Sequence, residues 1–263
     1  MKYGLNNLVI GCVALASTHV FAAQPAKLDL SLKPVSYMGD IGWQGFRLPK
    51  VTLSRTSSVV NKHWNTLDNA LIQQISYNVA RLLYRDVGKA PQLPTLKVIL
   101  EDMKGVAYKE GDFNGATIHL SAQYFEKFAM THDDQSTYDE LIGVLYHEIA
   151  HAYQLDDHNY KEIGPVIEGI ADVVRMKAGY VDFSHRKVGG AYDSGYKTTA
   201  FYLHWLEQTL KPNLLVELNA QLDPHDDIKW SWTLFAKESG ISLSESWRKY
   251  QKSLQPTIAT YPL

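Results

Sequence analysis

The chain has one cysteine, Cys12, in 263 residues, so a disulfide framework is excluded and stability must come from a packed core. It also lacks an excess of one charge: 26 lysines and arginines stand against 28 aspartates and glutamates, a formal −2. With no basic stripe, nucleic acid is not an expected partner. Beyond residue 22 there is no apolar run approaching the roughly 20 residues that a membrane span needs. Repeats and low-complexity tracts are missing too, which leaves an ordinary globular chain.

The N-terminus is the exception to that even texture. Lys2, the apolar run Leu8 to Ala16 and then Val20-Phe21-Ala22 have the layout of a signal peptide over residues 1–22, with cleavage after Ala22. The run is too short for an anchor. Cys12 lies inside it with almost nothing hydrophobic before it, which does not suit lipidation. Cleavage would leave roughly 240 residues, enough for one large domain or two lobes. It would also remove the cysteine, so an exported product, periplasmic or secreted, is expected.

The chemistry is concentrated in two segments. His147-Glu148-Ile149-Ala150-His151 lies on an expected helix, with Thr137 and Glu140 as a capping box and Leu141, Ile142, Leu145, Ile149 and Tyr153 as a buried stripe. Residues four apart on a helix sit one above the other, so His147 and His151 can present nitrogens to one ion. Glu148 projects beside that ion, where a carboxylate can take a proton from water. A buried helix whose histidines bond to backbone would carry the same three residues.

A second segment favours the metal. Gly164-Pro165 reads as a helix entry and Gly179 as a stop, so a helix is expected over Pro165 to Ala178. Glu168 and Asp172 share one face of it. A zinc site needs a third protein ligand, and a ligating histidine usually donates its other ring N–H to a carboxylate. Glu168 suits the first need and Asp172 the second. An extended motif would need Gly at 154 and His at 157, but the chain has Gln154 and Asp157, with His158 one place late. Asp157 remains a second candidate for the third ligand.

From about Thr95 to Tyr250 the chain resembles the basic secretory proteins of plants and their bacterial relatives, regarded as zinc peptidases of the gluzincin type. The matching words are Thr117-Ile-His-Leu-Ser-Ala122, Gly143-Val-Leu-Tyr-His-Glu148, Ile167-Glu-Gly-Ile-Ala-Asp172 with Arg175, Lys177-Ala-Gly-Tyr180, Gly195-Tyr196 with Thr199-Ala200, and Val216-Glu-Leu-Asn219. The resemblance implies one catalytic Zn2+ on His147, His151 and Glu168, Glu148 as general base, and Asp172 behind a ligand histidine. It also implies an α+β, zincin-like fold: a small N-terminal sheet packed with the active-site helix, and a mainly helical C-terminal half. The chain departs from the family in its formal charge, which is not basic.

The remaining elements fit that order. A helix is expected over Thr66 to Tyr84 with Asn65 as cap, then strands at Leu96 to Leu100, Val106 to Lys109 and Ala116 to Ser121. Either of the last two strands could be the edge that pairs with an extended peptide. Helices follow at Tyr196 to Leu210, near Leu214 to Leu222, and after Ser242, while 24–55 is mixed. The catalytic domain is expected over 23–263, with lobes at about 23–158 and 159–263.

Amide hydrolysis also needs a donor for the developing oxyanion. Tyr196 is the candidate, placed in a family-like word after a Gly-rich loop, with His185 and Tyr192 as alternatives. His63, His119, His132, His204 and His225 read as surface or satisfied core, and Arg175 as half of a structural ion pair. The expected function is zinc-dependent hydrolysis of polypeptides or peptides. Two alternatives keep the same residues: a peptidase of cell-wall crosslinks, or a zinc-stabilised binding or defence protein without catalysis. Oligomeric state and subsite preference are not legible.

Overall fold

The structure is a computed structural model and describes residues 28–37, 42–59 and 62–255. The expected signal peptide, with Cys12, lies outside the described residues.

Short runs of alternating and apolar residues form four strands: β1 (Lys50–Arg55), β2 (Thr95–Glu101), β3 (Ala107–Asp112) and β4 (Gly115–Ser121). They make one sheet in the order β1-β2-β4-β3, parallel except for β3, which runs antiparallel to β4. Leu96, Val98, Leu100, Ile118 and Leu120 are buried on the core side. β3, with β4 as its one neighbour in the sheet, is exposed along most of its length. Of the two strands left open as the peptide-pairing edge, β3 is therefore the edge, and β4 is enclosed between β2 and β3. Gly111 has φ +88°, and a Cβ there would come within 2.2 Å of the Gly115 carbonyl, so the tight β3–β4 hairpin requires glycine at this position.

The helix boundaries follow local capping chemistry. α1 (Asn69–Leu83) starts after Asp68, whose carboxylate accepts from the Leu71 N–H; the expected start at Thr66 falls in a separate 3-10 turn. α2 (Ala122–Ala129), capped by Ser121, was not expected. α3 (Asp134–Tyr153) begins one turn before the expected capping box. Asp133 accepts from Ser136 N–H, the Thr137 hydroxyl bonds back to the Asp133 carbonyl, and Glu140 is engaged elsewhere. α4 (Tyr160–Lys177) carries Pro165 inside it rather than at its start. Near the N-terminal end the proline costs a single helical bond, so Asn159, whose carbonyl accepts from Ile163 N–H, sets the start instead. α5 (Tyr196–Thr209), α6 (Leu214–Ala220) and α8 (Leu243–Ser253) agree with expectation; α7 (Trp232–Ser239) was not anticipated.

Two packing features fix the future site. The stripe of α3 is fully buried at Ile142, Leu145, Ile149 and Tyr153, each such side chain stabilising by roughly 1.5–3 kcal/mol. Polar ties to α1 add register: Asn78 Nδ2 donates to Tyr146 Oη at 2.7 Å, and Tyr84 Oη to the Tyr153 carbonyl at 2.6 Å. α4 then lies antiparallel to α3, and α5 presses onto α4 so closely that a Cβ at Gly169 would come within 2.8 Å of Thr199 Cγ2. Among the described residues no helix is long and apolar enough to cross a membrane.

Candidate metal centre and its cleft

The antiparallel pairing of α3 and α4 brings the two chemical segments face to face. His147 Nε2 lies 3.1 Å from His151 Nε2 and 3.2 Å from Glu168 Oε2, and His151 Nε2 lies 3.6 Å from the same oxygen. This is the one group among the described residues with three side chains able to hold a metal ion. The other ring nitrogen of His147 donates to Asp172 Oδ1 at 2.8 Å. That bond puts the Nδ1 proton on the carboxylate side and leaves Nε2 aimed at the cluster.

Charge in the cluster is arranged by hydrogen bonds. Burial works against a charged His147, but the bonds it donates to Asp172 and Glu168 outweigh it and raise its pKa to about 9. Burial likewise opposes ionised Glu168, yet bonds from His147 and His151 bring it down to about 2. Glu148 is buried next to the pair, and burial raises its pKa, opposed by the two histidines. A carboxylate held above its usual range is a better proton acceptor than an exposed one.

The cluster sits at the floor of a cleft of about 1250 Å³. The cleft runs along α3 from Glu140 to Gln154, about 21 Å of helix, with β3 on one side and the start of α5 on the other. Tyr196 opens α5 at φ +44° and is 62% exposed at the cleft rim. Its position is set by Thr199: Gly195 N–H donates to the Thr199 hydroxyl, which donates to the Tyr192 carbonyl, both at 2.8 Å. The negative charge of Glu168, with burial second, raises the Tyr196 pKa.

Other candidates fall elsewhere. Asp157 is fully buried and accepts from the N–H groups of Asn159 and Trp230, so it anchors the α3–α4 loop and lies outside the donor cluster. Tyr192 packs on Trp232 and Trp247, and His185 lies in a short 3-10 turn; neither lines the cleft. Arg175 is in an ion pair as expected, but its partner is Glu140, at 2.6 Å. His225 does line the cleft, together with His158 and Tyr160, which an ordinary surface reading had not suggested.

Lys109 is the residue that sequence reasoning passed over. It lies on β3 facing the cleft, where burial lowers its pKa against the pull of Asp156, Asp112 and Glu148. Alternation in a short strand could not say which face looked onto the catalytic helix; only the sheet order does.

Fold and site together define a mixed α+β protein with a four-stranded sheet, a His-His-Glu cluster able to hold a metal, and a long cleft above it. A family model described as "Peptidase of plants and bacteria" matches residues 55–250. The chain belongs to this family, the one its sequence resembles, and the match begins nearer the N-terminus than Thr95. No curated protein and no solved structure matches it.

Proposed function

We propose that the chain is an exported, zinc-dependent peptidase of zincin-like fold, with its catalytic centre at His147, Glu148, His151 and Glu168. The observation that carries this is the spacing of the three donor atoms, 3.1 to 3.6 Å. Donors about 2.0–2.1 Å from a tetrahedral zinc ion stand about 3.4 Å apart, and a two-nitrogen, one-oxygen set suits zinc. His147, His151 and Glu168 would hold the ion. When bound it supplies Lewis-acid polarisation and lowers the pKa of its water to about 7.

The protein's own groups do the rest. Glu148 Oε takes a proton from water as a peptide carbonyl is attacked and delivers it to the leaving amine nitrogen. Asp172 holds His147 in the tautomer that keeps Nε2 available. The Tyr196 hydroxyl, at the rim above Glu168, donates to the carbonyl oxygen as charge develops there. The free edge of β3 pairs with an extended substrate through main-chain hydrogen bonds, and the cleft length accommodates about six residues. Export rests on the layout of residues 1–22.

The test is digestion of an unbiased peptide mixture by the mature protein, read by mass spectrometry, beside Glu148→Gln prepared identically. Cuts made by the wild type and missing in the variant support the reading. Zinc-loaded wild type that cuts no peptide, while releasing fragments from purified cell wall, would redirect the same site to wall crosslinks. Inertness toward both would leave a zinc-stabilised binding protein.

A further inference from the structure

At the end of the cleft beyond His147, a polar constellation closes the floor. Arg175 reaches across from α4 and lies flat on Gly143 of α3, where a Cβ would come within 2.7 Å of its Nε and 3.0 Å of Nη2. Gly143 is one helical turn from His147, about 6 Å along the axis. The guanidinium is tied on two of its three nitrogens: Nε donates to the Tyr180 carbonyl at 3.1 Å and Nη2 to Glu140 Oε2 at 2.6 Å. Glu140 has its other oxygen engaged as well, accepting from Tyr124 Oη at 2.8 Å. The side chains of Arg175 and Glu140 keep only 11% and 17% of their exposure, and Tyr124, Glu140, Val144 and Arg175 all line the cleft.

This leaves an imbalance of a definite kind. Glu140 has both carboxylate oxygens occupied, whereas Arg175 Nη1, with two N–H donors, has no acceptor among the described residues. A guanidinium held by three neighbours and lining the cleft, with Nη1 unbonded, is a preformed donor one turn from the proposed metal ligands. Resting on the peptidase reading above, we infer that this end of the cleft is a specificity subsite for a substrate side chain ending in a carboxamide or carboxylate. Arg175 Nη1 is the recognising group. Glu140 and Tyr124 are positioning residues that hold it.

The chemistry of rejection is as definite as that of acceptance. An apolar side chain would cover Nη1 without giving it an acceptor, and a lysine or arginine would set donor against donor and cation against cation. Discrimination against leucine at this subsite should be about 10–100-fold in kcat/KM, the scale of one unmade hydrogen bond to a charged group. Discrimination against lysine should be at least as large. Val144 on the wall supports the stem of the side chain, so a long residue such as Gln or Glu is favoured over a short one.

The experiment uses one fluorescent peptide sequence with Gln, Glu, Leu or Lys placed in turn at each position flanking the cut. The expected result is one position, on one side of the scissile bond, where Gln and Glu exceed Leu and Lys by that factor. Arg175→Met with Glu140→Leu removes both charges together, so no buried charge is left unpaired. In that variant the Gln-to-Leu ratio should fall close to one.

If the paired variant does not fold, Gly143→Ala serves, since its Cβ displaces the guanidinium without changing any charge. Equal rates for all four peptides at every position, or a preference that survives both variants, overturns the subsite. Should no peptide be cut, the peptidase reading fails on its own. The subsite is then decided by fluorescence anisotropy with the same peptides on zinc-loaded Glu148→Gln: tighter binding of Gln and Glu supports it, and equal binding ends it.

Discussion

Asp172 Oδ1 and His147 Nδ1 meet at 2.8 Å across the α3–α4 interface, with the Asp172 carboxylate almost wholly buried. One hydrogen bond thus joins the packing of two core helices to the electronic state of a histidine in the candidate metal cluster. Asp172→Asn keeps the size of the side chain but weakens the acceptor. Metal affinity or activity should fall about 10–100-fold, with little change in the folded structure. Competition with a chromogenic chelator measures it, and unchanged affinity together with unchanged turnover would remove Asp172 from the site.

The same geometry sets a pH dependence for the metal-free protein. His147 is raised from an ordinary 6.5 to about 9, so its stabilising contribution is fully present below about 6.5 and is lost as pH rises through about 9. Glu168, lowered from 4.5 to about 2, contributes above about 4.5 and loses that contribution as pH falls through about 2. After chelation, Tm should therefore decline between pH 6.5 and 9. Zinc binding at pH 7 should release a proton from His147, visible as a calorimetric heat that varies with buffer ionisation enthalpy. A flat Tm and a buffer-independent heat would show that His147 is already neutral.

Glu168 and Asp157 were rival third ligands, and their fates show where sequence stops being informative. Glu168 sits four residues before Asp172 on one helical face, so spacing made it a candidate beside His147 and His151, and the structure brings the three together. Asp157 is adjacent to the motif in the chain but turns inward to bond the backbone of Trp230, 73 residues away. Nothing local announces that contact. The edge strand stayed open for a similar reason: β3 and β4 both alternate, and only the crossover from β2 to β4 puts β3 outside. The capping box at Thr137 and Glu140 misled because both side chains had better partners, the Asp133 carbonyl and Arg175.

Replacing Glu168 tests the third-ligand assignment directly. Glu168→Ala removes an oxygen from the triangle and leaves two histidines, which should lower zinc retention through dialysis well below one ion per chain. Glu168→Gln should give an intermediate loss. Stoichiometric zinc in Glu168→Ala, measured by atomic emission, would reassign the ligand.

Gly169 follows Glu168 on α4 and faces Thr199 of α5, so it couples the candidate metal cluster to the loop that carries Tyr196. Gly169→Ala puts a Cβ within 2.8 Å of Thr199 Cγ2, and the helices must separate slightly. Overpacking of this kind costs about 1–3 kcal/mol, partly offset by the better helix propensity of alanine. Chemical denaturation should show a lower midpoint with an unchanged m value. Thr199→Ser relieves the contact, so the double variant should recover most of the loss.

Tyr196 carries the proposed oxyanion donor. It is exposed and held at φ +44°, an uncommon backbone conformation for an aromatic residue; the Thr199 hydroxyl keeps the preceding turn in place. Tyr196→Phe removes only the hydroxyl and leaves the ring and the backbone unchanged. If that hydroxyl donates to the developing oxyanion, kcat should fall about 10²–10³-fold while KM changes little, because the bond strengthens only as charge develops. If Tyr196 instead packs against the substrate, KM should rise and kcat hold. Thr199→Ala should then resemble Tyr196→Phe more weakly, since it loosens the turn without removing the donor. Wild-type kcat in Tyr196→Phe would send the oxyanion role to Lys109, a cation lining the cleft within the electrostatic reach of Glu148.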